Sequence, residues 1–209
     1  MSEITAKPSI AGGMIFDLVE RGFLLALSLG AILRLAPSVE AEPHILLLLL
    51  SEILAVAFIL LRRPARNIDV TPYATVVAFL GTSAPLLVTA QGGGLIPAWL
   101  GYALMITGLL FNISAKVALN RSFGLTAANR GVKREGPYRL LRHPMYAGYA
   151  LTQLTFLALN PCLWNVGVYA LSWSVQILRI RAEEKLLQED PAYRDYAGKV
   201  RFRLVPGLY

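Results

Sequence analysis

The run Pro43-His44-Ile45-Leu46-Leu47-Leu48-Leu49-Leu50-Ser51-Glu52-Ile53-Leu54-Ala55-Val56-Ala57-Phe58-Ile59-Leu60-Leu61, closed by Arg62-Arg63-Pro64, decides the fold. It is close to the length of about 20 apolar residues that a helix needs to cross the hydrocarbon of a bilayer. Paired arginines and a proline end it, as at a membrane boundary. Glu52 is its one charged side chain; inside a membrane it needs a partner, either another helix or a substrate.

Working outward, the same pattern recurs. Apolar helices are expected over residues 14–36, 43–61, 72–90, 95–119, 144–160 and from 161 toward 188. Pro37 stops the first, and Gln91-Gly92-Gly93-Gly94 breaks the chain after the third. Trp99 and Tyr102 suit an interface in the fourth. Asn160-Pro161 is a tight connection, so the fifth and sixth helices form a hairpin, the fifth being short for a full span. The expected architecture is all-α: a transmembrane bundle of six helices in a single integral membrane domain, 1–209. Four helices lie within 14–119, and a second region covers 120–209.

Composition agrees. The chain has 209 residues, of which 56% are hydrophobic and only 16% charged. Its mean hydropathy is +0.54. A soluble domain of this size would expose too much apolar surface. The net charge is +7, and its placement carries topology rather than nucleic-acid binding. Arg62, Arg63 and Arg66 fill one loop. Lys116, Arg121, Arg130, Lys133, Arg134, Arg139 and Arg142 fill another. Arg179, Arg181, Lys185, Arg194, Lys199, Arg201 and Arg203 crowd the tail. The alternate loops hold only Glu40 and Glu42, or no charge. Six crossings with both termini in the cytosol satisfy the positive-inside rule. Arg34 is the exception and could snorkel to the outer interface. Lys7 and Glu3 near the start, and Asp17, Glu20 and Arg21 in the first apolar run, argue against a cleavable signal peptide. Cys162 is the single cysteine, which excludes an intrachain disulfide and a cysteine zinc cluster; His44 and His143 show no metal-ligand spacing.

Chemistry concentrates in Gly136-Pro137-Tyr138-Arg139-Leu140-Leu141-Arg142-His143-Pro144-Met145-Tyr146-Ala147-Gly148. Gly-Pro marks a turn. Pro144 suits the first position of a helix, which puts His143 at or near the N-cap. Free N–H groups, the helix dipole, Arg139 and Arg142 together favour a carboxylate or phosphate. Tyr146 shares the face of His143, and Gly148 allows another helix or a ligand to come close. A second cluster is Arg179-Ile180-Arg181-Ala182-Glu183-Glu184-Lys185-Leu186-Leu187, with Tyr193, Tyr196, Arg201, Arg203 and Pro206 beyond it. Adjacent glutamates diverge by about 100° on a helix, so at most one is expected to face a given pocket. A solvated helix extension carrying a pair such as Arg179 with Glu183 is the plain alternative.

The ordered set Gly-Pro-Tyr-x-x-x-Arg-His-Pro-x-Tyr-x-Gly, an apolar hairpin, Glu-Glu-x-x-Leu and a paired tyrosine resembles the isoprenylcysteine carboxyl methyltransferase family and the related phospholipid methyltransferases. The resemblance covers about 122–206. It implies a methyltransferase that binds S-adenosylmethionine at the cytosolic face and receives a lipid-like methyl acceptor laterally from the membrane lipids, with no metal and no nucleic acid. On this resemblance Gly136, Pro137, Tyr138, His143, Tyr146, Gly148, Glu183, Glu184 and Tyr193 belong to the cofactor site. Arg142, Glu184 and Arg201 are the candidate catalytic residues. The chain departs from many members in carrying Asp190-Pro191-Ala192 before the tyrosines, and in the added segment 127–131. Cys162, at the far end of the hairpin, is not expected to act. The alternatives are an NADPH-dependent membrane reductase of sterol-reductase type and a non-catalytic scaffold for anionic lipid. A soluble dinucleotide-type fold is excluded, because no strand precedes Gly92-Gly93-Gly94.

Overall fold

The computed structural model describes residues 10–61, 72–91, 93–119 and 132–207. These are all helical, with no strand among the described residues. The helices are α1 Ile10–Leu35, α2 His44–Leu61, α3 Pro72–Ser83, α4 Ala98–Leu119, α5 Pro144–Leu159, α6 Leu163–Leu187 and α7 Pro191–Lys199. Two stretches, Arg21–Ser38 and Ala98–Leu119, are long and apolar enough to cross a membrane by length and composition. Their outward faces are apolar as well. Leu18, Leu25, Leu29 and Leu33 of α1 and Leu110 and Val117 of α4 are exposed.

Proline sets most of the boundaries, because it supplies no N–H and fixes its own φ. Pro144 and Pro191 open α5 and α7. Pro97 lies just ahead of α4 and accepts from the N–H groups of Leu100 and Gly101. At Pro85 the expected third helix breaks. α3 ends at Ser83, not at residue 90, and a 3-10 turn, Ala84–Leu87, follows. The α4 helix begins at Ala98 rather than at residue 95. The basic loop 62–70 and the added segment 127–131 lie outside the described residues.

The carbonyls released by the break in α3 find partners. Arg34 donates to the carbonyls of Leu86 and Val88. Trp164 Nε1 donates to Leu87 O at 2.8 Å, and Asn165 brackets Thr89 through both its side-chain oxygen and its amide. Buried Asn160 contacts His44 Nε2 at 2.8 Å and joins the α5–α6 connection to the start of α2. These groups close one end of the molecule.

The closest packing joins antiparallel α4 and α5. A Cβ on Gly101 would come within 2.7 Å of the Leu159 side chain, one on Gly108 within 2.6 Å of Thr152 Oγ1, and one on Gly148 within 2.8 Å of the Asn112 backbone nitrogen. Small residues thus let the two backbones touch. Asn112 Nδ2 then donates to Met145 O at 2.9 Å, which fixes the start of α5 against α4.

Candidate functional site

At the other end, the start of α5 meets the last turns of α6. Gly136 takes φ +57°, open to glycine at little cost, and begins a 3-10 turn, Gly136–Arg139. Tyr138, at the centre of the turn, is buried, and its carbonyl accepts from Tyr196 Oη of α7 at 2.7 Å. The chain then reaches His143, the N-cap of α5, with Pro144 at the first helical position. The backbone N–H groups of Arg142 and His143 donate to Phe202 O and Arg203 O, each at 2.9 Å. The tail after α7 is therefore laid across the start of α5. Asp190 accepts from Ala192 N at 2.8 Å and caps α7, so the Asp190-Pro191-Ala192 departure is the start of a helix.

Both glutamates of α6 reach one imidazole. His143 Nε2 lies 3.0 Å from Glu184 Oε1, and His143 Nδ1 lies 3.8 Å from Glu183 Oε2. Spacing alone leads to one carboxylate per pocket. The structure brings in both because the two ring nitrogens diverge much as the two side chains do. Tyr146 donates to Glu183 Oε1 at 2.7 Å, and the Arg179 guanidinium stands 5.5 Å from the Tyr146 ring centre.

Glu184, only 3% exposed, is held by four donors. Oε1 meets His143 Nε2 and Tyr193 Oη at 3.1 Å; Oε2 accepts from Arg142 at 2.8 Å and Arg203 Nε at 3.1 Å. A carboxylate offers about four lone-pair positions, so its capacity is used. Burial alone would raise its pKa. His143, Arg142 and Arg203 outweigh that and hold it down at about 2. Burial comes first among the causes that raise the Tyr193 phenol, followed by the adjacent Glu184 charge. Burial also pushes Tyr196 up to about 12, against the Arg142 charge. Both phenols remain donors.

Other expected residues take different places. Arg201 contributes its carbonyl, which accepts from Arg142 at 3.2 Å, while its side chain is exposed. Arg203 is the tail arginine that reaches Glu184. Gly148 presents its open face to Asn112 of α4. Arg179 and Asn112 were not among the expected site residues; a buried arginine and an asparagine in apolar helices are the signals that could have pointed to them.

Residues 96–193 match the family described as phospholipid methyltransferase. That span, a little under half of the chain, is what it shares with this family. The phospholipid methyltransferase family is one of membrane-associated methyltransferases. Its span here runs from just before α4 into the first turn of α7. Arg142, His143, Tyr146, Glu183, Glu184 and Tyr193 fall within the phospholipid methyltransferase region, whereas Tyr196, Arg201 and Arg203 lie beyond it. Compared with curated proteins, the chain has no match.

Proposed function

We propose that the chain is a multi-pass integral membrane enzyme that moves a methyl group from S-adenosylmethionine to a lipid-like acceptor. The acceptor atom belongs to a carboxylate, as in the isoprenylcysteine carboxyl methyltransferases. The observation that carries this reading is unfilled polar capacity where α5 meets α6, inside the family-matched region. Arg142 Nε is buried without a hydrogen-bond partner. Glu183 Oε2 lies 3.8 Å from His143 Nδ1, beyond hydrogen-bond distance. The first turn of α5 has no side-chain cap, which leaves its N–H groups free to meet an anion.

This donor set fits the amino-acid end of S-adenosylmethionine, which carries a carboxylate and an ammonium. Arg142 and the start of α5 would hold the carboxylate. Glu183 would accept from the ammonium. Glu184, already saturated, would act by orienting His143 and Arg142. Gly136, Pro137, Tyr138, Tyr146 and Tyr193 would wall the site from water. Bound S-adenosylmethionine supplies a methyl group on a sulfonium, open to in-line displacement. The protein's part is alignment and exclusion of water. An ionised carboxylate acceptor brings its own nucleophilic oxygen, so no side chain has to remove a proton.

The basic segments and the outward apolar faces support six crossings, with both termini and the site on the cytosolic side. The test is transfer of a labelled methyl group from S-adenosylmethionine to a membrane lipid extract, using the protein in nanodiscs and mass analysis of the product. One labelled product class is expected, the methyl ester of an acidic lipid. Folded protein that labels nothing contradicts the reading.

A further inference from the structure

Lys116 of α4 is a buried cation that the site described above does not use. It is 0% exposed. No hydrogen-bond partner reaches its Nζ among the described residues. The ammonium stands 4.9 Å from the ring centre of Tyr149 on α5 and 5.7 Å from that of Phe58 on α2. Glu52 of α2 is the carboxylate that feels its charge. Aromatic faces stabilise an ammonium by roughly 1–2 kcal/mol, which does not offset the desolvation of a buried charge that makes no hydrogen bond. An ionisable group kept inside an apolar helix marks a functional position by default.

Its location says what it serves. Asn112, one turn earlier on α4, bonds to Met145 O in the first turn of α5. Tyr149 lies one turn beyond Tyr146, and both pack with Ala115, Met145 and Ile180 in one cluster. In this antiparallel register Lys116 is level with the start of α5, beside the candidate site.

We propose that Lys116 binds the anionic head of the methyl acceptor, a lipid-borne carboxylate or phosphate, and selects against cationic amine acceptors. The proposal rests on the methyltransferase reading above. A buried positive charge attracts an anion and repels an ammonium, while Phe58 and Tyr149 supply apolar walls for the start of a lipid chain.

The test uses the full chain in phosphatidylcholine nanodiscs. The probes are a pyrene-labelled fatty acid, a pyrene-labelled phosphatidate and the matching pyrene-labelled alcohol. One anionic probe should bind about tenfold or more tightly than the alcohol. Which one does so identifies the head group. Lys116→Met should abolish that preference and Lys116→Arg should keep most of it. S-adenosylmethionine affinity should be unchanged in both variants. If the wild type methylates an acidic lipid, Lys116→Met should raise KM far more than it lowers kcat. Because Glu52 faces the same charge, the double variant Lys116→Met/Glu52→Gln, which removes both, should keep the melting temperature near wild type. Equal binding of all three probes, or an anion preference that survives Lys116→Met, overturns the proposal. So does a melting temperature that falls steeply in the Lys116→Met/Glu52→Gln variant, since Lys116 would then be a structural post. Failure of the wild type to take S-adenosylmethionine at all, with the anion preference intact, strikes the methyltransferase reading and leaves Lys116 as an anion site.

Discussion

Glu184 gathers a histidine, two arginines and a tyrosine from three separate stretches of chain onto one carboxylate. Its pKa is depressed from 4.5 to about 2 in the folded protein. The stability it contributes is therefore present above pH 4.5 and is lost as pH falls through about 2. Wild-type melting temperature should drop across that window, and Glu184→Gln should flatten that part of the profile. Parallel profiles would contradict the role given to the charge. Glu184→Ala leaves the Arg142 and Arg203 guanidinium groups with no carboxylate between them and should cost about 3–5 kcal/mol, seen as a lower melting temperature. Glu183 has the freer oxygen, so Glu183→Gln should leave stability near wild type while weakening S-adenosylmethionine binding, measured by calorimetry.

The helices depend on close approach as much as on apolarity. Gly148→Ala puts a methyl group into the Asn112 backbone, which cannot move without shifting α4. A loss of about 1–3 kcal/mol is expected in thermal unfolding. Gly167→Ala, where nothing lies within 4 Å, should be silent and is the matched control. Several helix starts were legible in the sequence, because proline acts locally: Pro72 and Pro144 each open a helix where one was expected, whereas the helix that Pro191 opens was not expected. The break at Pro85 was not, since the apolar run continues through it to Ala90 and hides the missing N–H. The joining of His143 to Glu184 was legible as two clusters on facing helix ends. That both glutamates engage one imidazole, and that Arg203 rather than the Arg201 side chain reaches Glu184, depends on how the tail lies across α5. No local spacing encodes that path. Lys116 stayed hidden among the basic residues of a loop, although its side chain is turned inward from α4.

At the scale of the molecule, the helices alternate in direction and separate two polar ends. One holds Asn160, Asn165 and Arg34; the other holds the His143–Glu184 cluster. Cys162, the single cysteine, lies at the first end, 3.9 Å from Thr89 Oγ1. With the site cytosolic, a membrane-impermeant maleimide should label Cys162 in right-side-out vesicles and not in inside-out ones. In a Cys162→Ser background, Lys199→Cys should show the reverse. The same sidedness for both positions would overturn the topology.

The central claim is that the start of α5 and the end of α6 form a binding site for a sulfonium methyl donor. Calorimetric titration of the purified chain in nanodiscs tests it most directly, with S-adenosylmethionine in one series and NADPH in another, on wild type and His143→Ala. The account predicts saturable binding of S-adenosylmethionine to wild type, its loss in a folded His143→Ala variant, and no binding of NADPH. Saturable NADPH binding with none for S-adenosylmethionine, or S-adenosylmethionine binding untouched by His143→Ala, would contradict it.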